Sequence, residues 1–86
     1  MKVGKYEFTD ELISAAINRM KSNPFTSGDI ESELHRCGVP NYIGASYCRI
    51  FPVMRGADRL IQRERKAGNI KYENRQWTWI GDKEAS

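Results

Sequence analysis

Between Pro52 and Ile80 the spacing of apolar residues changes from a helical repeat to alternation, and Gly68 stands at the switch. On the helical side Val53 or Met54, Ala57, Leu60 and Ile61 share one face. Arg55, Arg59, Gln62 and Lys66 recur on another, with Arg63 beside them. The spacing predicts a helix over about residues 52–67, with Pro52 at its first position and Gly68 ending it. On the alternating side, Ile70 and Tyr72 precede a turn at Asn74 and Arg75, and Trp77 and Trp79 follow it. In that register Tyr72 faces Trp77 and Ile70 faces Trp79, which puts four large apolar groups on one face of a hairpin over about residues 70–80. A slip of one residue would scatter them.

Two more helices precede this unit. Thr9 is an N-cap, Asp10 and Glu11 suit the positive end of a helix dipole, and Phe8 can staple onto Ile13. Leu12, Ile13, Ala16, Ile17 and Met20 give the apolar face of a helix over about residues 10–21, stopped by Pro24. Phe25 and Thr26 form a short extended stretch suited to pairing with the hairpin. Thr26 or Ser27 then caps a helix over about residues 27–37, with Ile30, Leu34 and Cys37 in register and Gly38 ending it. Asp29, Glu31 and Glu33 form a solvated acidic face on it. Gly38 to Phe51 is expected to be an ordered loop, with or without a helical turn; a helix starting near Ser46 and kinked at Pro52 is the alternative.

Length limits this chain of 86 residues to one core, expected to be ordered over about residues 8–80 with a flexible tail at 81–86. Its net charge of +3 conceals a segregation. Arg49 to Arg75 holds eight cationic residues against three acidic ones, whereas residues 1–48 hold five against six. Such a basic segment attracts polyanions. His35, Cys37 and Cys48 offer at most three ligands where zinc takes four, so neither a metal nor any other cofactor is expected. No phosphate loop, nucleophile elbow or catalytic carboxylate and histidine set is present in the sequence, which argues against an enzyme. Met1 to Thr9 lacks the apolar core of a secretory signal, and no apolar run nears the roughly 20 residues of a membrane span, so a cytoplasmic location is expected.

The stretch Asp58, Arg59, Leu60, Ile61, Gln62, Arg63, Glu64, Arg65, Lys66, Ala67, Gly68, Asn69, Ile70 resembles the end of a recognition helix, its terminating glycine and the first wing strand in the winged helix-turn-helix DNA-binding superfamily. Helix order and hairpin carry the resemblance over about residues 8–80, and the size is similar to that of small phage or prophage-type regulators. It implies an α+β, mainly α, fold of three helices with a C-terminal hairpin wing. The dozen residues before the third helix depart from the usual 3–4-residue turn. Glu64 stands where many such proteins have leucine.

By this resemblance the protein binds double-stranded DNA without catalysis, as a transcriptional or prophage regulator. Arg55, Arg59 and Gln62 would reach base edges, Arg63 and Lys66 phosphates, Arg75 a minor groove or phosphate with Lys71 assisting. Arg49, with Asn41, Ser46 and Tyr47, would add backbone contacts. The plain alternatives are surface ion pairs, such as Arg55 with Asp58, and core packing for Trp77 and Trp79. The competing function is a winged helix that docks a protein partner, and a homodimer is compatible with either. A third, single-strand binding, needs the hairpin aromatics to face outward.

Overall fold

The computed structural model describes residues 2–3, 6–44 and 49–81. Its elements run β1 (Lys2–Val3), β2 (Tyr6–Glu7), α1 (Asp10–Ser22), α2 (Ser27–Arg36), α3 (Pro52–Ala67), β3 (Ile70–Glu73) and β4 (Gln76–Trp79). This is an α+β, mainly helical, winged-helix-like arrangement, with the C-terminal hairpin as the wing. No helix among the described residues is long and apolar enough to cross a membrane.

Each helix starts and stops where its local chemistry dictates. The Thr9 hydroxyl accepts from the Leu12 N–H at 3.3 Å. At α2 the cap is Thr26, in a reciprocal pair: its N–H donates to Asp29 Oδ2 at 2.8 Å and its hydroxyl accepts from the Asp29 N–H at 3.4 Å. Asp29 is thus a capping residue before it is part of an acidic face. Pro52 opens α3, and Gly68 closes it at φ 79°, a left-handed conformation that a side chain would strain.

The core lies where the apolar stripes of the three helices converge. Met20 of α1, Ile30 and Leu34 of α2, and Ala57, Leu60 and Ile61 of α3 are buried together with Phe25 and Ile70. Phe25 exchanges two backbone hydrogen bonds with Trp77, at 2.7 and 2.8 Å, and so adds a one-residue third strand to the wing. Because the Trp77 backbone points toward Phe25, Tyr72 and Trp77 form a pair without mutual hydrogen bonds, the kind that brings side chains closest. Their rings lie 5.0 Å apart.

The β3–β4 register pairs Ile70 with Trp79 and Tyr72 with Trp77, as the alternation predicts. Burial along that face is uneven, however. Ile70 is buried, both tryptophans are half-buried, and Tyr72 is 57% exposed. The register determines which face is apolar, but the core covers Ile70 fully, Trp77 and Trp79 in part, and Tyr72 least.

The N-terminus and Gly81 differ from the sequence reading, and the long connection gains a detail that it lacked. The core begins before Phe8, because β1 and β2 pair and bury Val3. Phe8 stands over Gly56 of α3: a Cβ added there would sit 2.2 Å from the ring. In the long connection, Ile43 and Ile50 exchange two backbone hydrogen bonds of 2.9 Å, so an antiparallel bridge closes the loop. Ser46, Tyr47, Cys48 and the tail at 82–86 lie outside the described residues. Gly81, assigned to that tail, is anchored, donating its N–H to Asn69 O at 3.0 Å.

Two substitutions test this packing. Gly56→Ala gains about 1 kcal/mol of helix propensity. It is nevertheless expected to lower stability by a net ~1–2 kcal/mol, since the fully enclosed Phe8 ring has no room to retreat. Trp77→Ala is expected to cost about 2–4 kcal/mol, below a full core deletion because the indole is half-buried. Chemical denaturation would measure both, and a Gly56→Ala protein more stable than its parent would refute the contact.

Candidate nucleic-acid interface

The outward face of α3 lies opposite its core face, so the residues there are set by helical geometry alone. Arg55, Arg59 and Lys66 are exposed on it, and Gln62 is half-buried. Arg55 makes no hydrogen bond or ion pair among the described residues, so the alternative of a pair with Asp58 is not formed. Lys66 is likewise unengaged among them.

The remaining predicted residues are more committed. Arg59 donates from Nη1 to the backbone carbonyl of Lys2 at 2.5 Å, which ties α3 to the N-terminal hairpin. Gln62 Oε1 accepts from Arg65 Nε at 2.9 Å. That oxygen keeps a second lone pair, so a bidentate adenine contact can form beside the Arg65 bond. Arg63 donates from Nε to Glu64 Oε2 at 2.9 Å, with half of its side chain exposed. Lys71 lies 3.5 Å from Glu73, an exposed pair of little energetic weight.

Arg49, Arg55 and Arg59 come together at one cleft of about 680 Å³ between the N-terminal half of α3 and α2. Its walls include Phe51 and Met54 on one side and Glu31 on the other. Arg49 is held over the Tyr42 ring, 4.3 Å from its centroid, by a cation–π contact within the bridged loop. Gln62, Arg63 and Lys66 continue along the helix beyond the cleft, and Lys71 and Arg75 belong to the wing.

Glu64, the departure from leucine, is a buried carboxylate with two partners. Besides Arg63 it accepts from Asn69 Nδ2 at 2.8 Å, and its backbone carbonyl accepts from the Asn69 N–H at 3.0 Å. Asn69 O in turn accepts from the Ile80 and Gly81 N–H groups, at 2.7 and 3.0 Å. Both ends of the wing are thereby fixed to the last turn of α3.

At the wing tip Asn74 and Arg75 have φ of 54° and 65°. Two consecutive positive φ values make the tight hairpin turn that matches strand twist, for which Asn-Gly is the preferred pair. Arginine at the second position is strained and exposed.

Of the acids of α2, Glu31 lines the cleft, whereas Asp29 and Glu33 have other partners. Asp29 caps the helix and lies 3.7 Å from Arg19. Glu33 bonds Arg36, a contact that raises the guanidinium's pKa further above its ordinary value. His35 Nδ1 lies 3.2 Å from Val39 O, and Cys37 Sγ donates to Glu33 Oε2 at 3.7 Å. Among the described residues no three His, Cys, Asp or Glu side chains form a group that could hold a metal ion.

Two contributors escaped the sequence reading: the β1–β2 hairpin behind Arg59, and Arg65 as the partner of Gln62. Strands of two residues leave no readable period, so no sequence pattern pointed to the first. Compared with protein-family models, curated proteins and solved structures, the chain finds no match.

The strained turn carries its own test. Replacing Arg75 by glycine is expected to raise stability by about 0.5–1 kcal/mol, the left-handed penalty relieved less the added freedom of the unfolded chain. Arg75→Ala, which keeps the Cβ, is expected to melt like the parent. A glycine variant no more stable than the alanine one would remove the strain.

Proposed function

We propose that the protein is a winged helix-turn-helix module that binds double-stranded DNA without catalysis, as a transcriptional or prophage regulator in the cytoplasm, as monomer or homodimer. On this reading α3 enters the major groove and the β3–β4 wing lies along the backbone or the minor groove. The observation that carries it is the outward face of α3: Arg55, Arg59 and Lys66 stand exposed in one stripe, and Arg75 is presented beyond them on a wing fixed to the same helix. Strain at Arg75 supports it too, since an unfavourable backbone state kept at an exposed arginine suits a contact made there.

Roles then divide by position. Arg55 and Arg59 present planar forks that match guanine O6 and N7. Arg49, Arg63 and Lys66 serve phosphates, with Lys71 and Arg75 from the wing. Gln62 reads adenine with its free amide group and the second lone pair of Oε1. Single-strand binding through the hairpin is disfavoured, because Trp77 and Trp79 pack on the core.

A second reading is favoured by one specific observation. Phe51 and Met54 are exposed at the cleft, at 39% and 54%, and such apolar groups beside arginines also suit a docked protein.

Salt dependence separates the two. With about five cations neutralising phosphates, log affinity for duplex DNA is expected to fall against log salt with a slope of about −4 to −5. A flat response would exclude the DNA reading. Within it, Arg59→Ala is expected to cost about 1–3 kcal/mol on a preferred site and to relax one base position, whereas Lys66→Ala weakens all duplexes about equally. Equal, sequence-blind losses from both would remove Arg59 from base reading.

A further inference from the structure

Two features of the cleft do not suit a surface built only to attract phosphates. Asp58 is exposed on α3 between Arg55 and Arg59, and it forms neither an ion pair nor a hydrogen bond among the described residues. A free carboxylate there repels a polyanion and is not held by its neighbours. Met54, one helical turn earlier on the same side, is 54% exposed. An uncovered thioether gains nothing from phosphate either.

Both features fit the floor of a major groove. Cytosine presents an N4 amino donor there, which a carboxylate accepts, and thymine presents a C5 methyl, which an apolar side chain covers. Phosphates present neither. We propose that Met54 and Asp58 are specificity-determining residues, Met54 covering a thymine methyl and Asp58 accepting from a cytosine amino group, alongside guanine contacts from Arg55 and Arg59. All four side chains line the same cleft. Four residues of helix advance about 6 Å, so the thymine and the cytosine fall about one to two base-pair steps apart. This inference rests on the duplex-DNA reading and adds two base identities to it.

The test uses the full chain and a duplex selected by it from a random pool. Each thymine of that duplex is replaced in turn by deoxyuridine, which removes only the methyl, and each C·G pair in turn by T·A. Binding is measured for the parent, Met54→Ala and Asp58→Ala; both positions are exposed, and melting curves verify folding. One deoxyuridine is expected to weaken the parent about three- to fivefold, the equivalent of one buried methyl, and Met54→Ala not at all. One C·G to T·A change, a step or two away, is expected to weaken the parent about tenfold and leave Asp58→Ala indifferent.

The inference is overturned if no deoxyuridine affects the parent, or if Met54→Ala keeps the same discrimination. It is equally overturned if Asp58→Ala strengthens every duplex by one factor, since Asp58 would then be only a repulsive charge. A steep salt slope without these base effects refutes the inference and leaves the DNA reading standing. No preference of the parent for duplex over single strand refutes both.

Discussion

The turn at Gly68 and Asn69 fixes the geometry on which the rest of the proposed interface depends. Gly68 takes a left-handed conformation, and Asn69 then bonds back to Glu64 through both backbone and side chain. Its carbonyl also receives the N–H groups of Ile80 and Gly81, where the hairpin returns. One residue therefore holds the start and the end of the wing against the last turn of α3. Together with the Phe25–Trp77 bridge, that clamp sets where Arg75 lies relative to Arg55 and Arg59.

Burying Glu64 to build this clamp has a cost that its partners offset. A lone carboxylate would not stay in the core, but the Asn69 amide and the Arg63 guanidinium each supply a hydrogen bond. The bond also draws Arg63 toward the helix, so this arginine contributes charge more than reach. Stability at the wing and availability at the interface are thus traded within a few residues. At the N-terminal end of α3 a similar exchange occurs, where Arg59 holds the Lys2 carbonyl and Phe8 covers Gly56.

The three helices and the hairpin register were legible because each combines a period with an end signal: Thr9, Thr26, Pro52 and Gly68 mark boundaries that the apolar spacing also requires. Where those signals thin out, so does legibility. Strands of two residues, as in β1 and β2, are too short to show alternation, and one bridge between Ile43 and Ile50 leaves no period. Register could show that Tyr72 shares a face with Ile70 but not how far α1 and α3 extend over it. The exposed stripe of α3 followed from spacing. The partners of its members did not: Arg59 meets a backbone 57 residues away, and Gln62 is engaged by Arg65 through rotamers that no pattern encodes.

On the proposed function, the outward face of α3 and the wing tip act together on one duplex. Titrating isotopically labelled protein with a duplex of about 16 base pairs, and following its backbone and side-chain NMR signals, tests this directly. Shifts are expected to concentrate at Arg49 to Lys66 on the exposed side and at Asn74 and Arg75, with α1 and the outer side of α2 unmoved. Shifts confined to the cleft with a silent wing, or centred on α1, would contradict it.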